Sequence, residues 1–252
     1  ASRGLGDVYK RQALGHKNIR VIFQNKDDLD KVVSLSKCGV DNAVLIKGSG
    51  VDLNEFKKIP LNFDRPIVML AARLLKDKGV FEFVESARML KNYESGLYSG
   101  VRFALVGDID LGNASSLTRH EIEDFKKEGI VEVWGHCTDM RSVLSNATIV
   151  VLPSYREGLP KVLVEAAACG RAVITTNTPG CRDAIESGIT GLLVPIMDAE
   201  SLALAIKELL DDPRRCEEMG NAGRCLAELE FDINMIVSKH LKVYSELLAI
   251  VP

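Results

Sequence analysis

Apolar residues fall in short runs separated by amphipathic stretches along most of this chain. Ile67–Ala72, Val101–Val106, Val131–Trp134, Thr148–Leu152, Ala172–Thr175 and Gly191–Val194 are each four to six mostly apolar residues, as strands covered on both faces require. Between them, Val80–Lys91, Thr118–Lys127, Met140–Ser145 and Pro160–Cys169 read as helices, and Arg182–Ser187 as a short one. Such alternation predicts an α/β fold, a Rossmann-like doubly wound parallel sheet. Ahead of it, Ile19–Phe23 and Ala43–Ile46 read as strands flanking a helix over Asp27–Ser36, with Asp27 or Asp28 near its N-cap. Behind it come three helices, Ala199–Asp211, Pro213–Leu229 and Asp232–Ile250. The last carries Ile236, His240, Val243 and Leu247 at near-helical spacing, so it must pack on something.

Composition narrows the function class. With 46% hydrophobic and 27% charged residues in 252, the chain reads as ordinary globular protein with ample length for a core. A net charge of −3, without a basic stripe carrying interleaved aromatics, argues against a nucleic-acid partner. Six cysteines without a Cys-x-x-Cys pair read as reduced thiols. No apolar run approaches the ~20 residues that would span a bilayer. Ala1 to Gln12 shows neither helical nor strand periodicity and reads as a non-native leader, to be set aside from the fold.

The candidate chemistry gathers at strand ends. Pro153 closes the strand Thr148–Leu152, and Pro160 stands where a helix can begin. Glu157 therefore lies in the loop at the carboxyl end of a strand, and Glu165 within the following helix, at the edge where open α/β sheets bind ligands. Arg73 and Lys78 follow the strand Ile67–Ala72 and reach the same edge, where Gly79 lets backbone approach an anion closely. The alternative is that Arg73, Lys76 and Lys78 are a solvated loop.

These residues carry a resemblance. Glu157 to Glu165, with Gly170-Arg171-Ala172-Val173-Ile174-Thr175-Thr176, Pro179-Gly180 and Gly188 to Pro195 downstream and Gly48-Ser49-Gly50-Val51-Asp52 and Arg73…Lys78-Gly79 upstream, is similar to the Glu-x7-Glu pattern of retaining GT-B glycosyltransferases. The nearest pattern is the glycogen-synthase-like bacterial family (family 4 type), and Pro179-Gly180-Cys181-Arg182-Asp183 resembles its surface-polysaccharide subgroup. The resemblance implies an enzyme of hexosyltransferase type that moves a sugar from a nucleotide-activated donor, a UDP-sugar by expectation, with retention of anomeric configuration.

Roles follow by resemblance. Glu157, Arg73 and Lys78 would be catalytic: Glu157 beside the donor sugar, the two cations on the diphosphate. Glu165 would accept the ribose hydroxyls, and the backbone of Gly158 and Leu159, with Pro160 and Gly50, would line the donor. Trp134 and His136 would hold the nucleobase, unless Trp134 is plain core. Glu157 need not be a nucleophile, since this family's retaining mechanism is usually written as front-face attack assisted by the diphosphate. No metal or other cofactor is expected. Asp108-Ile109-Asp110 matches the metal-chelating Asp-x-Asp of the other glycosyltransferase fold, but its place before a loop rich in Gly, Asn and Ser favours a turn. The N–H groups of Gly180 to Asp183 would sit near phosphate or sugar.

The same resemblance divides the chain: residues 1–12 leader, 13–50 the remnant of an N-terminal acceptor domain, 51–66 linker, 67–230 the nucleotide-sugar domain, and 231–252 a helix crossing back. It implies a fragment that binds nucleotide weakly and transfers no sugar by itself, since the family's catalytic-site histidine lies in the acceptor domain. The expected partners are a nucleotide sugar and a glycan or polyprenyl-linked acceptor. The setting is cytoplasmic, or peripheral at the inner face of the cytoplasmic membrane through the acceptor domain. Two rivals remain: an inactive nucleotide-sugar-binding or regulatory domain, against which intact Arg73, Lys78, Glu157 and Glu165 argue, and a dinucleotide oxidoreductase. The latter lacks Gly-x-Gly-x-x-Gly after any strand.

Overall fold

In the computed structural model, residues 12–16, 18–35, 40–93 and 96–249 are described. The supposed leader, residues 1–12, falls almost wholly outside them. Strands β1 (Val21–Phe23) and β2 (Ala43–Leu45) pair in parallel around α1 (Lys26–Leu35). A six-stranded parallel sheet follows, built from β3 (Ile67–Ala71), β4 (Arg102–Val106), β5 (Glu132–Gly135), β6 (Ile149–Leu152), β7 (Ala172–Thr176) and β8 (Gly191–Val194). Their connections contain α2 (Val80–Lys91), α3 (Arg119–Glu128), α4 (Met140–Asn146) and α5 (Lys161–Ala168), and α6 (Ala199–Asp211), α7 (Pro213–Glu230) and α8 (Ile233–Ala249) follow β8. The doubly wound α/β expectation holds.

The strand order is β5-β4-β3-β6-β7-β8. The chain winds outward from β3 through β4 to β5, then returns to the other side of β3 with β6. That reversal opens a crevice at the carboxyl ends of β3 and β6, the topological switch point where such sheets bind ligands.

Both sheet faces are dry, which explains the unbroken apolar runs. Along β3, Val68 and Leu70 join the core under α2, α3 and α6, while Ile67, Met69 and Ala71 join the core under α4 and α5. Phe83 of α2 is fully buried, edge-on to Phe103 at 6.0 Å, and its truncation to Ala would cost about 3–5 kcal/mol. Helix α8 lays Ile236 and Val243 on Ile46, with Ile22, Val44 and Leu247 around them, so the predicted stripe packs on the two-stranded unit.

Among the local expectations, the helix over residues 182–187 needs correction and two others gain detail. The N-cap of α1 is Asn25, whose Oδ1 accepts from Asp28 N–H at 2.8 Å; an amide can accept there and still donate elsewhere, which Asp27 and Asp28 cannot. The helix expected over Arg182–Ser187 is a 3₁₀ turn of Arg182–Ala184, because Ile185 is already extended (φ −137°) and Ser187 pairs with Gly191. Segment 51–66 has no helix or strand, yet Val51 and Phe56 are buried in the core. It is also stitched down by Val51 N–H to Phe231 O (2.8 Å), Arg171 Nη2 to Ile59 O (2.8 Å) and Thr148 Oγ1 to Asn62 O (3.0 Å).

Candidate functional site

Two loops leave the switch point back to back. After β3 the chain runs through Arg73 into a 3₁₀ turn, Lys76–Lys78, ended by Gly79 at φ 72°. A Cβ on Gly79 would lie 2.3 Å from Pro153 O, so this glycine is required by the neighbouring loop as well as by its backbone angle. After β6, Tyr155 N–H donates to Asp77 O at 2.9 Å, Ser154 Oγ lies 3.0 Å from the same oxygen, and Tyr155 Oη donates to Glu82 at 2.6 Å.

This packing brings Lys78 onto Glu157. The Lys78 ammonium bonds Glu157 Oε1, which also accepts from Ser154 Oγ at 2.8 Å; the two charged side chains are only 18% and 14% exposed. The loop beyond is held from several sides. Asn25 Nδ2 donates to Gly158 O at 2.8 Å, Arg156 pairs with Asp28 at 2.5 Å, and Arg182 with Asp27 at 2.7 Å. Leu159 is buried in the core, and Pro160 is the N-cap of α5, with no side chain to cap the first turn. Gly180 N–H is already taken by the Asp183 carboxylate at 2.9 Å.

Beside this loop lies a cavity of about 810 Å³, within the size range of small-molecule sites. Arg73, His136 and Glu165 line it, as do Asp110, Met140, Lys161 and Val162. Glu165 is 6% exposed; burial pushes its carboxyl above the usual range, while Lys161, 3.2 Å away, pulls it down. Lys161 and Val162 bring the uncapped start of α5 to the cavity, where first-turn N–H groups and the helix dipole favour an anion. Arg73 Nη1 meets Asp110 Oδ2 at 2.8 Å.

The structure therefore splits the residues singled out from sequence. Arg73, Glu165 and His136 share the cavity, while Lys78, Glu157, Gly158, Leu159 and Pro160 form the clamped loop beside it. Trp134 lies outside the cavity lining: its Nε1 donates to Glu132 at 2.9 Å, the Arg102 guanidinium stacks 5.8 Å from its ring, and it packs on the second core. Gly50 is also elsewhere, since a Cβ there would come 2.8 Å from Ile233 Cα; it permits the start of α8. Asp108 accepts from Ile109 N–H, and Asp110 N–H is bonded by Ser116 Oγ, so the Asp-x-Asp segment is a hydrogen-bonded turn. Among the described residues no three His, Cys, Asp or Glu side chains converge as a metal site requires. Lys161 was missed by sequence reasoning, although its spacing of four from Glu165 on a helix was a usable signal.

Residues 51–225 match the family described as glycosyl transferases group 1. Over 219 residues the chain is 35% identical to the N,N'-diacetylbacillosaminyl-diphospho-undecaprenol alpha-1,3-N-acetylgalactosaminyltransferase of Campylobacter jejuni, covering 81% of this chain and 54% of that protein. It is 28% identical to the capsular polysaccharide biosynthesis glycosyltransferase CapM of Staphylococcus aureus, over 94% of this chain and 60% of that one. Sucrose-phosphate synthase from Thermosynechococcus elongatus superposes with a TM-score of 0.80 at 28% identity, over 96% of this chain and 61% of that one. Anabaena Alr3699/HepE, solved in complex with UDP, superposes at 0.77 with 20% identity, over 90% and 64%. The chain thus spans between half and two thirds of these proteins' length.

Proposed function

The chain belongs to the group 1 glycosyltransferase family, and we propose that its cavity holds the nucleoside diphosphate of an activated sugar donor. The observation that carries this reading is the joint placement of a buried carboxylate, a cation and an uncapped helix start in one cavity at the switch point. Glu165 accepts the vicinal ribose hydroxyls, Arg73 and the α5 N-terminus take the diphosphate, and His136 lies toward the base. The sugar extends toward Glu157 and Gly158. UDP is the expected nucleotide, supported by its presence in the Anabaena homologue of the same fold.

The reaction needs charge stabilisation more than acid–base chemistry. The bond between the sugar's anomeric carbon and the phosphate oxygen breaks, and negative charge collects on the departing diphosphate. Arg73 and the fixed α5 dipole meet that charge. The acceptor hydroxyl bonds the same face of the sugar and its proton passes to the released diphosphate, which retains anomeric configuration. Glu157, held by Lys78 and Ser154, would hold a sugar hydroxyl or balance positive charge on the ring.

The acceptor is a glycan or polyprenyl-linked glycan, bound by a part of the complete protein outside this chain; peripheral contact with a membrane would be made there. The C. jejuni and S. aureus relatives, named for a diphospho-undecaprenol substrate and for capsular polysaccharide, support that choice. Among the described residues no helix is long and apolar enough to cross a membrane. Titration calorimetry with UDP, GDP and ADP tests the donor reading. Weak but saturable binding of UDP, weakened roughly tenfold or more in Glu165→Ala, is expected; equal, unsaturable heats for all three nucleotides would remove it.

A further inference from the structure

The donor reading leaves Asp110 without a task, yet Asp110 is bonded to the cation that the reading needs on the diphosphate. Its Oδ2 accepts from Arg73 Nη1 at 2.8 Å, and both side chains line the cavity. We propose that Asp110 is a stand-in anion: it holds Arg73 until a diphosphate arrives and then surrenders it, so that it sets donor affinity. This inference rests on the donor reading.

The backbone around Asp110 is anchored independently of Arg73. Asp110 N–H is bonded by Ser116 Oγ at 2.9 Å, and Asp110 O accepts from Asn113 N–H at 2.8 Å. The whole turn is stitched to the loop that carries Arg73, through Leu74 N–H to Asp108 O (2.9 Å), Lys76 N–H to Ser115 O (2.7 Å) and Leu117 N–H to Leu74 O (2.9 Å). The Asp110 backbone is thus held opposite the Arg73 loop whether or not the two side chains are bonded. The bond itself is exchangeable, because the side chains are 61% and 34% exposed and water competes for both. A guanidinium binds carboxylate and phosphate with the same forked geometry, and a diphosphate brings more charge. Once released, Asp110 returns to water at small cost.

A ligand that needs Arg73 free sees its affinity reduced by the fraction of molecules in which Arg73 is paired. Titration calorimetry on the full 252-residue chain, with UDP and with inorganic pyrophosphate, reads this directly. Asp110→Asn keeps shape and the backbone bonds, and should bind both anions about two- to fivefold more tightly, as a surface pair's modest worth allows. In an Arg73→Ala background the same change should have no effect. Weaker binding by Asp110→Asn at an unchanged melting temperature would make Asp110 a direct ligand and overturn the proposal. Tightening that persists without Arg73 would make Asp110 a plain repulsive charge and overturn it equally. Wild-type binding of pyrophosphate but not UDP would change only the base in the donor reading, and the comparison is then read on pyrophosphate. Binding of neither anion would remove the donor reading and this inference with it.

Discussion

The pairs Lys78–Glu157 and Arg73–Asp110 leave the same sheet edge and use the same chemistry, an acid and a base within hydrogen-bond reach. Their surroundings separate them. Lys78 and Glu157 are 18% and 14% exposed, share Ser154 as a third partner and lie between loops bonded backbone to backbone. Arg73 and Asp110 are 61% and 34% exposed. Charges withdrawn from water depend on each other, whereas solvated ones can change partners at little cost. The inner pair therefore braces the two loops, and the outer pair is free to change partners.

The largest effect should come from separating the inner pair. Lys78→Met strands the Glu157 carboxylate, and urea unfolding should show a loss of roughly 3 kcal/mol, while Arg73→Met should cost less than about 1 kcal/mol. Equal losses would erase the distinction. Next comes the buried acid of the cavity: Glu165→Ala removes charged hydrogen bonds, so UDP affinity should fall by about 1.5–3 kcal/mol in calorimetry. Removing the clamp should cost less. Asn25→Ala loses the α1 cap and the bond to Gly158, with about 1 kcal/mol expected in denaturant unfolding and partial rescue by Asn25→Asp, which restores the cap alone. If Asn25→Asp restored full UDP affinity too, the bond to Gly158 would have no part in the site.

The smallest effect is a pH slope. Burial raises the Glu165 carboxyl in the folded protein, so the folded state keeps its proton to higher pH than the unfolded chain. The contribution is complete below the unfolded value, about 4.3, and is lost as pH rises through the higher folded value. Melting temperature should fall slightly more with rising pH in the wild type than in Glu165→Gln. In the proposed donor reading, nucleotide affinity should rise over the same window, because Glu165 would meet the ribose hydroxyls as the ionised acid. Parallel melting curves for the two proteins would show that Glu165 is solvated.

Much of the fold is legible in the spacing of apolar residues. Residues 80–91, 191–194 and 199–211 form the helix, strand and helix that their spacing predicts, because both sheet faces are buried and the apolar periods are clean. The α1 cap is harder to place, since three residues close together could each cap; the structure selects Asn25, whose Oδ1 accepts from Asp28 N–H while its Nδ2 reaches Gly158 O. Gly50 and Gly79 have plausible ligand roles in sequence, but their neighbours, Ile233 and Pro153, are far away along the chain. Trp134 stands at the right strand end and is occupied instead by Arg102 and Glu132.

By itself the sequence determined the alternating elements, the edge at which Glu157 and Glu165 stand, and their spacing of eight across a loop and a helix turn. Tertiary structure decided which charges meet. Lys78 and Glu157 are 79 residues apart and Arg73 and Asp110 37, and each pair exists because β3 lies between β6 and β4. Strands that are apolar on both faces carry no record of their neighbours. Order comes from the helices that must cover both faces and from crossovers of one hand, and that order put the site between β3 and β6.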